Sequence, residues 1–159
     1  MAEPAREGET RAAYPYFRTI PTRWMDNDAY GHVNNVTYYS YFDTVVNEHL
    51  IRAGGLDIAR DTVVGLVVET SCTFRKPLSF PERIDAGLRV VRLGTTSVTY
   101  EIGLFREGDD APAADGRFIH VWVDRVTNRP VPVPPTIRAA LLPLMTGSPP
   151  SGAGTDPRR

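Results

Sequence analysis

Residues 28–50 read DAYGHVNNVTYYSYFDTVVNEHL, and the change of pattern within this stretch determines the predicted fold. Its first part, rich in Asp, Asn and Gly, predicts a loop. From Asn35 onward apolar residues recur every three or four positions, which indicates an amphipathic helix that ends near the glycine pair at 54–55. Asn34 or Asn35 is the expected N-cap, because either side chain can accept a hydrogen bond from a free amide of the first turn. The apolar positions of the predicted helix face are Val36, Tyr39, Phe42, Val46 and Leu50.

On both sides of this helix, apolar and polar residues alternate with a period of two, which predicts β-strands. One strand precedes the loop and four follow the helix, and a short helix closes the ordered chain. One long helix beside one antiparallel sheet is an α+β layer arrangement, in which we expect a curved sheet to wrap the helix. The predicted strands are residues 16–24, 63–74, 84–90, 98–104 and 116–126, and the short helix is residues 136–145.

The chain has 159 residues, which fits one domain with a modest core. Residues 1–12 are polar and residues 147–159 are rich in Gly, Pro and Ser, so we expect two flexible tails around a single domain at residues 13–146. The net charge of −1 provides no global attraction to nucleic acid or to a membrane surface, and neither is an expected partner.

Several other classes of protein are disfavoured by the sequence. The first ten residues contain no apolar core typical of a signal peptide, and no apolar run approaches the length of a membrane span, so the expected compartment is the cytoplasm. Cys72 is the one cysteine and lies in an apolar segment, which favours a buried thiol over a nucleophile. The three histidines are widely separated, so we expect no metal and no cofactor.

The loop before the long helix carries the densest chemistry of the chain. Asp26, Asp28 and His32 lie just before a helix N-terminus, where free amides and the helix dipole stabilise negative charge. Acyl transfer needs both a nucleophile or base and a site for the oxyanion. Residues 23–35 therefore offer both requirements of that reaction.

The motif Asp28-Ala29-Tyr30-Gly31-His32-Val33-Asn34-Asn35 resembles the 4-hydroxybenzoyl-CoA thioesterase-like family of hotdog-fold proteins. It is also similar to the HVNN segment of acyl-ACP thioesterases in the same superfamily. The resemblance continues through residues 74–78, 92–97 and 130–141 and covers about 130 of the 159 residues. It implies a hotdog fold, in which an antiparallel sheet of about five strands wraps one long helix. It further implies a homodimer or homotetramer whose thioester sites lie between subunits.

By this resemblance the protein is an acyl-CoA thioesterase, which hydrolyses a thioester to a carboxylic acid and CoA. Asp28 takes the position of the catalytic carboxylate, as nucleophile or as general base. The Asn35 amide takes the position of the oxyanion donor, and His32 braces the loop or takes part in catalysis. The residues expected to bind substrate are Gly31, Tyr30, Asn34, Tyr38, Arg75 and Arg92.

Some alternatives stay open at the level of sequence. Tyr30 and Asn35 stand where other branches of the superfamily have Asn and His, so the resemblance does not choose between the nucleophile and base routes. Asp43 on the helix is a reserve candidate for the carboxylate. An acyl-ACP thioesterase, an enoyl-thioester hydratase and a non-catalytic acyl-CoA-binding protein are the competing functions. Three residues separate Asp28 from His32, whereas the hydratase sites have four between their Asp and His, which disfavours the hydratase.

Overall fold

The computed structural model describes residues 10–146, and the order of its elements is the order that the sequence predicts. The strands are β1 (Tyr16–Pro21), β2 (Val63–Phe74), β3 (Arg83–Leu93), β4 (Ser97–Arg106) and β5 (Ala114–Asp124). The helices are α1 (Asn35–Arg52) and α2 (Pro135–Leu141), with short 3-10 turns at Arg11–Ala13, Trp24–Asp26 and Leu142–Leu144. Of the two predicted tails, residues 1–9 and 147–159 lie outside the described residues.

The five strands form one antiparallel sheet in the order β1-β3-β4-β5-β2, and α1 packs on one face of it. This arrangement is the hotdog fold, so the predicted α+β class is confirmed. The strand that follows α1 in sequence, β2, lies at one edge of the sheet, where it pairs only with β5 among the described residues.

The helix lies close to the sheet above β5. A Cβ atom added to Gly116 would lie 2.6 Å from the Phe42 ring, so a side chain here would push α1 away from the sheet. Phe42, Val45 and Val46 of α1 are fully buried in this interface. The inner faces of β3 and β4 complete the core with Ile84, Ala86, Leu88, Val90, Val98, Tyr100, Ile102 and Leu104.

The buried face of α1 is wider than the predicted one and is rotated relative to it. Phe42, Val46 and Leu50 are buried as expected, but Val36 is 64% exposed and Tyr39 only partly covered. Apolar residues continue around this helix, so their spacing alone does not fix which of them face the sheet. The additional buried residues are Tyr38, Tyr41, Val45 and His49.

Several predicted boundaries were wrong: β5 ends at Asp124 rather than at residue 126, and α2 ends at Leu141 rather than at residue 145. The first strand ends at Pro21 rather than at residue 24, because the Asp26 carboxylate accepts a hydrogen bond from the Arg23 amide at 2.9 Å and closes a tight turn. Residues 10–12 are not a free tail: the Arg11 guanidinium binds the Asp85 carboxylate at 2.9 Å and anchors this segment to β3. No helix among residues 10–146 is long and apolar enough to cross a membrane.

The burial of His120 on β5 can be tested through the pH dependence of stability. Its ring is 2% exposed, and burial lowers its pKa from 6.5 to about 4. The unfolded chain therefore binds a proton below pH 6.5 that the folded protein excludes until about pH 4, so stability falls as the pH drops through this window. We expect the free energy of unfolding of the wild type to fall by about 2–3 kcal/mol more than that of His120→Phe between pH 7 and pH 4.5. Urea titrations of both proteins at the two pH values measure this, and equal losses would contradict it.

Candidate active site

The loop that precedes α1 is a small hairpin closed on itself. The Asp28 amide donates to the His32 carbonyl at 2.8 Å, and the Asn34 amide donates to the Asp26 carbonyl at 2.9 Å. At the tip, the Gly31 amide donates to the Asp28 carbonyl at 3.1 Å, and Gly31 has a φ of +82° that a residue with a side chain would rarely adopt. The backbone thus holds Asp28 at the first position of a tight turn.

The Asp28 carboxylate is partly buried and accepts a single hydrogen bond from the described residues. The Tyr30 amide donates to Oδ1 at 2.8 Å, which is an Asx turn. The second oxygen, Oδ2, accepts no hydrogen bond from residues 10–146. One oxygen is therefore used to orient the group, while the other can contact a ligand.

The first turn of α1 supplies a free backbone donor. Asn34 is the N-cap: its Oδ1 accepts from the Val36 amide at 3.2 Å, and its carbonyl accepts from the Thr37 amide at 2.9 Å. No described residue accepts the amide hydrogen of Asn35, the first residue of the helix. This amide points out of the positive end of the helix dipole, as an oxyanion donor must.

A cavity of about 310 Å³ is lined in part by Asn35. His32 and Asn35 line one side, and Tyr38 and Phe74 form an aromatic wall with their ring centroids 4.9 Å apart and nearly perpendicular. Asp28 does not line the cavity in the single chain. Its amide donates a hydrogen bond to the carbonyl of His32, and His32 lines the cavity. The complete lining is His32, Val33, Asn35, Tyr38, Phe74, Arg75, Lys76 and Pro77.

The segment between β2 and β3 holds the loop in place. The Val33 amide donates to the Leu78 carbonyl at 2.7 Å, and the Ser79 hydroxyl donates to the Gly31 carbonyl at 3.0 Å. The Phe80 amide donates to Oδ1 of Asn27 at 3.0 Å. Each arm of the hairpin is therefore anchored by a separate bond, which limits movement of the turn that carries Asp28.

The cations near the cavity are already paired with carboxylates. Arg75 forms an ion pair with Asp115, and the Arg75 side chain is only 11% exposed. Lys76 Nζ lies 3.1 Å from Asp109. A CoA phosphate at either cation would have to compete with the carboxylate already bound there.

The structure brings most of the predicted site residues together, with one exception. Asp28, Gly31, His32 and Asn34 belong to the loop, Tyr30 lies at its tip and is 88% exposed, and Asn35, Tyr38 and Arg75 line the cavity. Arg92 lies near the far end of β3, whereas the start of that strand follows the segment that anchors the loop. The structure therefore does not bring Arg92 to this site within one chain.

Several contributors to the site were not predicted as site residues, and Val33 and Lys76 of the cavity lining are two of them. Phe74 and Pro77 form part of the cavity wall, and Asp26 is buried beneath the loop. The position of Phe74 at the end of an apolar run, just before Arg75-Lys76-Pro77, was a signal of a strand end near the loop. No pattern in the sequence identified Pro77 or Asp26.

Among the described residues, neither the Cys72 thiol nor a metal site offers an alternative reactive group. Burial, together with the nearby Asp115 charge, raises the pKa of the Cys72 thiol to about 12, so this thiol stays protonated. Within residues 10–146 no cluster of three His, Cys, Asp or Glu side chains could hold a metal ion.

Comparison with known proteins agrees with the fold and shows the family of the chain. The profile of the thioesterase-like superfamily matches residues 22–141. The structure of the PA5185 protein from Pseudomonas aeruginosa strain PAO1 is 54% identical over 87% of this chain and 97% of its own, with a TM-score of 0.86. The PA2801 protein of the same species is 34% identical over 80% and 98% of the two chains, with a TM-score of 0.75. BH1999 gentisyl-coenzyme A thioesterase, 22% identical over 79% and 99% with a TM-score of 0.70, shares the fold. The chain belongs to the thioesterase-like superfamily of hotdog-fold proteins.

Proposed function

We propose that this protein is an acyl-CoA thioesterase, which uses water to cleave an acyl-CoA into a carboxylic acid and free CoA. The observation that carries the proposal is the free Asn35 amide at the wall of the cavity, beside the turn that holds Asp28. A thioester carbonyl placed at this amide would have its oxygen at a helix N-terminus and a carboxylate close by. Those are the two groups that acyl transfer requires.

The reaction can follow either of two balanced routes. In the first, Asp28 takes a proton from water as the water oxygen adds to the carbonyl carbon, and the tetrahedral intermediate then expels CoA thiolate, which receives the proton. In the second, an Asp28 oxygen attacks the carbonyl carbon and displaces the thiolate, and water opens the mixed anhydride. In both routes the Asn35 amide binds the oxyanion, a contribution of about 3 kcal/mol.

The substrate class follows from the lining of the cavity. Tyr38 and Phe74 offer aromatic surface to an acyl group. Arg75 and Lys76, which are each paired with a carboxylate, also line the cavity. A structural relative carries the name gentisyl-coenzyme A thioesterase, and CoA thioesters are the class we propose here. The same acyl group carried on acyl carrier protein is the alternative.

Thiol release from a panel of thioesters tests this proposal. We expect the wild-type protein to release free thiol from at least one acyl-CoA in a panel of short, long and aryl chains, faster than from the matching acyl carrier protein. A thiol-reactive dye measures the rate. No thiol release from any CoA thioester would contradict the proposed function. Faster release from the acyl carrier protein would identify the protein as an acyl-ACP thioesterase instead.

A single turnover in ¹⁸O-labelled water tests the anhydride route. Attack of water on the Asp28 carboxyl carbon of the anhydride leaves labelled oxygen in the Asp28 side chain, whereas attack on the acyl carbon places the label in the acid product, so labelled Asp28 identifies the anhydride route. The base route leaves Asp28 unlabelled. Mass spectrometry of the peptide that contains Asp28 gives the answer.

We further propose that the protein assembles as a homodimer through β2. This strand is an edge of the sheet, where it pairs with β5 alone among the strands of residues 10–146, and an edge strand can pair with a strand of another chain. It also exposes Leu66, Val67 and Val68, which are each between 44% and 46% accessible. A second copy paired along this edge would cover them, and sedimentation analysis of the purified protein tests the dimer.

A further inference from the structure

The second carboxylate of the motif, Asp26, has an environment unlike that of Asp28. Its side chain is 1% exposed and both of its oxygens are bound. Oδ1 faces the Arg23 guanidinium, with Nη2 at 2.9 Å and Nε at 3.0 Å. Oδ2 accepts from the Arg23 amide at 2.9 Å and from the Tyr41 hydroxyl at 2.7 Å. Asp26 has no oxygen left to contact a substrate.

These bonds connect Asp26 both to the arm that carries Asp28 and to the helix that carries the Asn35 amide. Its backbone leads directly into the arm that carries Asp28 two residues later. Its carbonyl accepts the Asn34 amide, and Asn34 immediately precedes the Asn35 donor. Its side chain reaches α1 itself through Tyr41, which is 4% exposed and fixed in the core. Among the described hydrogen bonds, those of Asp26 alone join the Asp28 arm to the body of α1.

The surroundings of Asp26 favour its ionised form. Burial disfavours its ionised form, but the Arg23 amide, the Tyr41 hydroxyl and the Arg23 guanidinium together outweigh burial and hold its pKa below the ordinary value. Burial and the Asp26 charge raise the pKa of Tyr41, so its hydroxyl remains a neutral donor. Both shifts favour a charged Asp26 that accepts a hydrogen bond from a neutral Tyr41 hydroxyl.

We propose that Asp26 is a positioning residue, which fixes the Asp28 carboxylate relative to the Asn35 amide through its bonds to Tyr41, Arg23 and Asn34. The proposal rests on the thioesterase function proposed above and deepens it. It assigns different tasks to the two carboxylates of one motif: one reacts with the substrate and the other holds the geometry.

Two substitutions test the proposal. Tyr41→Phe removes one hydrogen bond and leaves the ring in the core, and Asp26→Asn removes the charge while it keeps the shape. We expect each to lower kcat by about 10- to 100-fold with KM nearly unchanged, because a shift of about 1 Å in a catalytic group costs about 100-fold. The matched control is Tyr100→Phe, since Tyr100 is also fully buried but its hydroxyl has no partner in residues 10–146. Its kcat and KM should equal those of the wild type.

Amide hydrogen exchange followed by NMR gives a readout that needs no activity. The amides of Tyr30 and Asn34 report the bond to the Asp28 carboxylate and the base of the hairpin. We expect both to exchange at least about tenfold faster in Tyr41→Phe, while amides of β3 and β4 keep their wild-type rates.

The outcomes separate this inference from the proposed function. A wild type that cleaves no thioester contradicts the function, and the loop amides then still decide whether Asp26 holds the hairpin. An active wild type with normal kcat and normal loop exchange in both variants overturns the positioning role. A fall in kcat that only follows the folded fraction, with exchange raised throughout the protein, also overturns it, because that result describes a purely structural residue.

Discussion

Asp28→Asn is expected to lower kcat for thioester cleavage by about 10²–10⁴-fold, the usual range for loss of a general base. The substitution is conservative in shape: the amide oxygen of Asn can still accept the Tyr30 amide, which lies 2.8 Å from Oδ1 in the wild type. The turn should therefore keep its conformation, and only the negative charge is lost. Initial rates of thiol release, with thermal unfolding measured in parallel, give the comparison.

The chain offers a matched control and a competing carboxylate. Asp57 also forms an Asx turn, with Oδ1 accepting from Ala59 and Arg60, but this turn lies in the connection between α1 and β2. Asp57→Asn should leave the rate unchanged. Asp43 lies on the exposed face of α1. If Asp43→Asn abolishes activity while Asp28→Asn keeps it, the chemistry belongs to the helix carboxylate instead.

Asn35→Pro is expected to lower kcat by about 10²–10³-fold without loss of stability. Proline removes the amide hydrogen proposed to bind the oxyanion, and no described residue uses that hydrogen in the folded chain. The first position of a helix tolerates proline well. The preceding residue, Asn34, already has the extended conformation that proline requires, with φ −60° and ψ 136°. Circular dichroism and thermal unfolding should thus match the wild type.

Asn35→Ala is the control for this second result, because it removes the side chain and retains the amide. We expect it to keep wild-type kcat to within a few fold. A folded proline variant with full activity would rule out the backbone donor. An alanine variant as slow as the proline variant would move the role from the Asn35 backbone to its side chain.

The fold was predictable because each element has a strong local pattern. The switch from spacing at threes and fours to strict alternation marks the end of α1 and the start of β2, and the bounds of β2 agree with the predicted strand. Asn34 was predictable as a cap because its side chain can reach an amide two residues ahead, and it binds Val36 in this way. Such features depend on neighbours in sequence.

The missing details depend on contacts between distant residues. The burial of Tyr38 and the exposure of Val36 follow from where the sheet touches α1, which periodicity does not specify. Asp26 and Asp28 look alike in sequence, whereas in the folded chain Asp26 is buried and its carboxylate binds Arg23 and also Tyr41, 15 residues away. Arg92 was assigned to the substrate as a cation that could bind a CoA phosphate, whereas the length of β3 separates it from the cavity.

If the proposed dimer forms through the edge strand β2, the stability of the protein depends on its concentration. Leu66, Val67 and Val68 are exposed along it in a single chain. A second copy that binds only the folded chain adds its binding free energy to that of folding. The midpoint of unfolding should then rise with protein concentration, by an amount set by the dissociation constant. A melting temperature measured at the dilution of an enzyme assay would therefore describe a different species from one measured at the concentration of a stock solution.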